Sequence, residues 1–325
     1  MVVTRNDVAR AAGVSSAVVS YVLNDGPRPV SPATRERVLA AIDALGYRRN
    51  TVARSMRTRK TYSIGFVLPE ITLSYFSAMT QRLSEIAHAR GLSLIVATSN
   101  GRIDREREHL IELAGRQVDG IILMSVDPAR DLRWTGDLGT PVLLVDRPQV
   151  AIDGTAAAVQ HLVDRGRRRL GRLSGPADDI LTRRRDAGWE RALLANDIAD
   201  GPSRVLRAEM TEAAGYAAAR ILLTGASLAD GVVIDFAPHA TGFLRAAADL
   251  GIAIPEAVAV VATEFGRGAE FTVPRLTSVD SPLSEIAERA VDAIAAASAD
   301  DRLLAIHGTD FTLTARESSD VTGSR

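Results

Sequence analysis

The chain contains no cysteine. That absence removes disulfides, thiolate metal sites and cysteine nucleophiles together. The five histidines (His88, His109, His161, His239, His307) lie far apart, and no pair has the HExxH spacing of a metal-binding helix. No metal and no cofactor is therefore expected, and the histidines read as surface or structural residues. Long apolar runs are missing too. The best candidate, Ala257–Thr263, is bracketed by Glu256 and Glu264 and falls far short of the ~20 apolar residues of a membrane-spanning helix. The first residues lack the basic start, apolar core and small-residue cleavage site of a secretory leader. No membrane partner is expected, and the cytoplasm is the expected location. There is also no G-x-S-x-G elbow, phosphate-binding P-loop or G-x-G-x-x-G after a strand. The acids and arginines form no recognisable acid–base pair, so an enzyme is not expected and no catalytic residue is assigned.

What is present begins with size and charge. The 325 residues, 46% hydrophobic and 24% charged, suit a globular protein with one small module and two larger lobes. The net charge of −1 hides an asymmetry. Residues 1–60 hold eleven Arg or Lys against four acids, whereas the remainder holds 28 bases against 36 acids. A basic head on an acidic body is the footprint of a nucleic-acid-binding module, although charge alone fits a merely solvated helix face as well.

The head reads as three short helices. Thr4-Arg5-Asn6-Asp7 has capping-box spacing and starts a helix that Gly13 breaks. Ser15 caps a second helix, Ser16 to Asn24, with Val19, Val22 and Leu23 on its inward face. Ser31-Pro32 opens a third, with an apolar stripe of Val38, Leu39, Ile42 and Leu45 and a stop at Gly46. Two helices joined by a tight glycine turn form a helix-turn-helix, whose second helix enters the major groove.

The segments Thr4–Ser15, Val19–Asn24 and Val30–Val38 resemble the DNA-binding headpiece of the lactose-repressor (LacI/GalR) family. Gly46–Asn50 and Val52–Met56 resemble its linker and hinge helix, and the match covers residues 3–61. The resemblance implies double-stranded operator DNA as partner. By position, Ser16, Ala17 and Tyr21 face base edges. Thr4, Ser15, Ser20, Asn24, Ser31 and Thr34 position phosphates, with Asn50 and Arg54 assisting at the hinge. Met56 stands where the family has a minor-groove leucine wedge, and its long apolar side chain suits the same insertion. Val18 and Tyr21 replace the usual threonine and arginine, and Arg49 replaces a proline. So sparse a set of base contacts leaves part of the specificity to operator deformability.

From Ser63 onward short apolar runs alternate with helical stretches. Strands are expected at Ile64–Leu68, Leu92–Thr98, Ile121–Met124 and Val142–Asp146, with helices over 75–90 and 104–115. After Val150 the rhythm restarts: helix 154–165, strand 169–174, helix 181–196, strand 232–235, helix 239–250 and strand 258–262. A helix over 281–298 and a strand Thr309–Leu313 follow. The fold class is α/β: an all-α N-terminal headpiece and a core of two doubly wound parallel lobes that bind ligands outside the strands' carboxyl ends.

The order of these elements also resembles the family's periplasmic-binding-protein-like core, over essentially residues 3–315. Domains are expected at 1–48 (helix-turn-helix), 49–61 (hinge) and 62–325 (two-lobed core). Within the core, lobe 1 takes about 62–148 and 281–310; lobe 2 takes about 151–274 and the C-terminal end. The resemblance implies crossings near 148–151, 274–281 and 310–316. It also implies a small-molecule effector in the cleft, bound by Glu70, Tyr75, Phe76, Asp146, Arg183, Arg185, Trp189, Phe236 and Glu264. Arg185 would clamp a hydroxyl or carboxylate. The family's sugar-binding Asn-Asp and Asp-Asp pairs are Phe236-Ala237 and Glu264-Phe265 here, so a less hydroxylated ligand, or none, is expected. Residues 314–325 lack apolar heptads, which leaves a homodimer on a pseudo-palindrome. Repression is the expected mode, with an activator, an effector-independent binder or a solute-binding protein as alternatives.

Overall fold

The computed structural model describes residues 3–24, 26, 28–47, 60–146, 148–199, 204–225, 229–297, 301–308 and 310–320. It separates into two compact units, Met1–Thr61 and Tyr62–Arg325.

In the first unit, α1 (Arg5–Ala12), α2 (Ser16–Asn24) and α3 (Pro32–Leu45) follow the capping signals of the sequence. The Thr4 amide donates to Asp7 Oδ2 at 2.9 Å, while the Asp7 amide donates to Thr4 Oγ1 at 3.4 Å, so the capping box closes in both directions. Gly13 turns the chain with φ 64°, in the left-handed region that glycine enters without a side-chain penalty. Val8, Ala9, Ala12, Val19, Val22, Val38 and Ala41 form the core of this unit.

In the second unit the chain builds lobe 1 first, with β1 (Ser63–Leu68), α4 (Ser74–Ala89), β2 (Ser93–Thr98), α5 (Ile103–Gly115), β3 (Gly120–Leu123) and β4 (Val142–Asp146). It then passes to lobe 2: α6 (Pro148–Asp164), β5 (Leu170–Ser174), α7 (Ile180–Ala195), β6 (Val205–Arg207), α8 (Glu212–Thr224), β7 (Gly231–Ile234), α9 (Ala237–Asp249), β8 (Ala259–Thr263) and β9 (Thr277–Asp280). It returns for α10 (Leu283–Ala296) and β10 (Leu303–His307), and β11 (Thr312–Thr314) crosses back. The lobe 1 sheet has the order β10-β4-β3-β1-β2 and is parallel throughout. The lobe 2 sheet runs β11-β9-β8-β7-β5-β6, with β11 antiparallel to β9. Each sheet carries an apolar cluster on both faces, so the strands read as continuous hydrophobic runs.

Three details differ from the sequence pattern. The helix expected at 154 starts at Pro148, because proline suits the first helical turn, where no amide is needed. Four elements (β6, α8, β9, β10) lie in segments where the pattern marks none. The closing strand begins at Thr312 rather than Thr309.

Candidate nucleic-acid interface and ligand cleft

On α2 the buried side is Val19 and Val22, and Ser16, Ala17, Ser20 and Tyr21 share the opposite, accessible side. The 3.6-residue period puts positions i, i+1, i+4 and i+5 on one face. Tyr21 is half-buried, its ring lying against the loop at Gly26, where an added Cβ would sit 2.7 Å from the ring. Ser15 Oγ accepts the Val18 amide at 3.3 Å. Ser31 Oγ accepts the Thr34 amide at 3.3 Å and donates to Thr34 Oγ1 at 2.9 Å. Thr4, Ser15 and Ser31 are thus exposed helix caps, with Thr34 beside Ser31. Asn50, Arg54 and Met56 lie outside the described residues, as does the Asn24 side chain.

The cleft in the second unit is built from strand ends. Glu70 follows β1, Asp146 ends β4, Phe236 follows β7, Glu264 follows β8 and Ser281 follows β9. A cavity of about 710 Å³ opens between the lobes, lined from lobe 1 by Tyr75 and Leu283 and from lobe 2 by Glu264, Asp280 and Arg316. That size falls within the range of small-molecule sites. A recess of about 10 Å³, room for one water, lies between Val150, Ala151, Arg185 and Glu264. Glu264 adopts φ 54°, a left-handed conformation that costs a non-glycine residue energy and clusters at ligand sites.

Arg185 is buried, with only 2% of its surface exposed. Its guanidinium donates to the Asp235 carbonyl at 2.6 Å and to Glu264 Oε2 at 3.0 Å, and lies 4.8 Å from the Phe236 ring centroid. Ser281 Oγ donates to the other Glu264 oxygen at 2.9 Å. Behind this pair, Asp235 accepts Arg172 Nη2 at 2.6 Å and Ser174 Oγ at 2.8 Å, all three fully buried. Burial raises the Asp235 pKa, but the Arg172 and Arg185 charges and these hydrogen bonds outweigh it and hold the carboxyl below its usual value. Arg172 also reaches Asp186 at 2.7 Å, and Asp186 accepts Arg207 at 3.0 Å.

Not every residue expected at the cleft is there. Trp189 is a correction: it is 1% exposed and packs with Ala158, Val159, Leu162 and Leu193 in the lobe 2 core. It follows Arg185 by four positions, but its side of α7 faces α6 and the sheet. Arg183 is a second correction, being exposed and donating to the Asp178 carbonyl at the start of its own helix. Glu70 accepts the Thr72 amide and hydroxyl and does not line the cavity. Phe76 packs into the lobe 1 core edge-on to Tyr75, at 5.3 Å between centroids. Asp146 lies at the lobe junction but is engaged by Arg184, which donates to its two oxygens at 2.6 and 3.0 Å. Three consecutive arginines stand about 100° apart around a helix, so each meets a different surface. The sequence pattern identifies the run without saying which member turns inward. Arg172 and Asp235 carry a fainter signal, a charge in or just after an otherwise apolar strand.

A sequence profile described as bacterial regulatory proteins of the lacI family matches residues 4–50, and one described as a periplasmic binding protein-like domain matches residues 159–319. Catabolite control protein A of Priestia megaterium is 31% identical over 298 residues, covering 88% of this chain and 90% of that protein. The HTH-type transcriptional repressor PurR of Pectobacterium carotovorum is 28% identical, with 94% of each chain covered. The solved lac repressor dimer bound to operator and an anti-inducer superposes with a TM-score of 0.80 over 98% of this chain and 99% of that chain, at 24% identity, a likeness of fold. The capped three-helix head, the doubly wound lobes and the near-full-length match to the Priestia protein agree, and the chain is a member of the LacI family of bacterial transcription regulators.

Proposed function

We propose that this protein represses transcription by binding a pseudo-palindromic operator as a homodimer, under the control of a small molecule in the interlobe cleft. The observation that carries the reading is α2, whose apolar side is spent on the core while Ser16, Ala17, Ser20 and Tyr21 stay accessible for the major groove. Thr4, Ser15, Ser31 and Thr34 would position phosphates, and Asn50, Arg54 and Met56 would bind at the hinge and kink the operator centre. The Pectobacterium relative's name as a repressor supports the sign of the effect. Exposed Ile95, Val96, Phe271 and Val273 favour pairing of two copies. The cytoplasm is where such DNA is met, and no catalytic step is assigned.

The effector would be poor in hydroxyl groups, since Phe236 offers none of the hydrogen bonds a buried sugar hydroxyl needs. A regulator that needs no effector is the second reading, favoured by the partners that Asp146 and Glu264 already have within the chain. The test is a pull-down of genomic fragments by the purified protein, followed by salt titration on the most enriched site. The expected result is a pseudo-palindrome whose log affinity falls by about 0.9 per phosphate neutralised for each unit of log salt. Weak, sequence-blind binding would overturn the reading.

A further inference from the structure

Asp146 is the last residue of β4 in lobe 1, and Arg184 lies on α7 in lobe 2. Their side chains form a bidentate pair at 2.6 and 3.0 Å and are only 13% and 17% exposed. Exposed ion pairs contribute little, but a bidentate Arg–carboxylate pair shielded from water is among the strongest side-chain contacts and holds both partners in one geometry. Residue 146 ends its strand and α6 begins at Pro148, so the pair bridges the lobes beside a chain crossing. Lobes joined by short crossings move as hinged bodies.

We propose that Asp146 and Arg184 form an interlobe latch that holds the two lobes together without a ligand and commits the Asp146 carboxylate to the lobe contact in preference to a ligand. Both carboxylate oxygens accept from one guanidinium, which fixes their orientation and leaves each at most one further lone pair, so a ligand hydroxyl meets a carboxylate already committed to Arg184 until the pair opens. Arg184 is in this sense a positioning residue, acting on the cleft through Asp146. A ligand shifts only the population that the latch leaves open, which makes the pair a set point for the response. The latch concerns lobe closure alone and can fail while the DNA-binding reading stands.

The experiment measures lobe separation in the full-length protein without DNA or ligand. The absence of cysteine makes it direct. Cysteines introduced as Ile111→Cys on lobe 1 and Leu194→Cys on lobe 2, both exposed, carry spin labels for pulsed distance measurement. Asp146→Asn, Arg184→Met and their double variant complete a cycle, with Arg184→Lys keeping the charge but not the fork. Loss of a charge-assisted hydrogen-bonded pair is expected to raise the open population about tenfold or more. Each single variant should lengthen the distance distribution, the double variant should open no further than either single, and Arg184→Lys should fall between. Distributions that match the unsubstituted protein in all variants overturn the latch. So does a double variant that opens by the sum of the singles, because the two residues would then act independently.

Discussion

Arg183 and Arg185 stand two positions apart and have opposite surroundings. Arg183 is exposed on the first turn of its helix, whereas Arg185 is buried against Glu264, the Asp235 carbonyl and the Phe236 ring. Replacing Arg185 with alanine removes the guanidinium from Glu264 and the cover over Phe236. Breaking a fully buried pair costs roughly 3–5 kcal/mol, and since Glu264 keeps 16% exposure the expected loss is about 2–3 kcal/mol. Arg183→Ala is expected to stay within about 0.5 kcal/mol. Urea unfolding midpoints of the two variants check this; equal losses would mean that the buried contacts carry no extra stability. Trp189 belongs to the same scale. Its indole fills the lobe 2 core, so Trp189→Ala is expected to destabilise by about 3–5 kcal/mol and leave the cleft's charged residues in place. Residue types near Arg185 were legible in the sequence, but the direction of each side chain depends on helical phase and on the neighbouring strand, which a motif does not encode.

At the scale of single elements, the local code was read well wherever it is chemical. Thr4, Gly13, Ser31 and Gly46 mark the ends of α1 and α3 in sequence and do so in space. Thr4→Ala removes an exposed cap whose hydroxyl donates to Asp7 and accepts its amide, and is expected to cost the headpiece about 1 kcal/mol. A lower melting temperature of that unit and weaker operator binding, with the core's melting unchanged, would be the signature. Packing between elements was not legible in the same way. A Cβ at Gly188 on α7 would stand 2.1 Å from the Ile152 carbonyl oxygen on α6, so the two helices meet backbone to backbone. Gly188→Ala must push them apart, at a cost of about 1–3 kcal/mol or more. A thermal melt matching that of the unsubstituted protein would show that α6 yields more easily than this contact implies. In sequence Gly188 only lowers the helix propensity of its segment, and nothing names Ile152 as its neighbour.

At the scale of the whole chain, the alternation of strands and helices announced a doubly wound α/β core, because strands buried on both faces must be apolar along their length. What it left unmarked follows from the same physics. β6 spans three residues, too short for a run, β9 (Thr277–Asp280) has Val279 as its one apolar residue, and β10 has an edge strand's mixed exposure. Titration adds a property of the folded molecule that no motif announces. Burial holds His161 on α6 and His239 on α9 below the usual imidazole value of 6.5. His161 Nε2 lies 2.8 Å from Ser319 Oγ, and His239 Nε2 donates to the Glu209 carbonyl at 2.7 Å. The folded protein thus keeps both rings neutral at a pH where the unfolded chain already takes up protons. Their contribution to stability is complete above pH 6.5 and is lost as pH falls below it. Asp235 acts in a separate window. Its carboxyl is depressed below 3.8, so its contribution is present above that pH and disappears only as pH falls through the lower folded value. Melting temperature measured from pH 7.5 down to 5.5 is therefore expected to decline before Asp235 titrates. His161→Gln and His239→Asn should each flatten that decline, even where they lower the melting temperature at neutral pH. A profile equally steep in both variants would place the acid sensitivity outside these two rings.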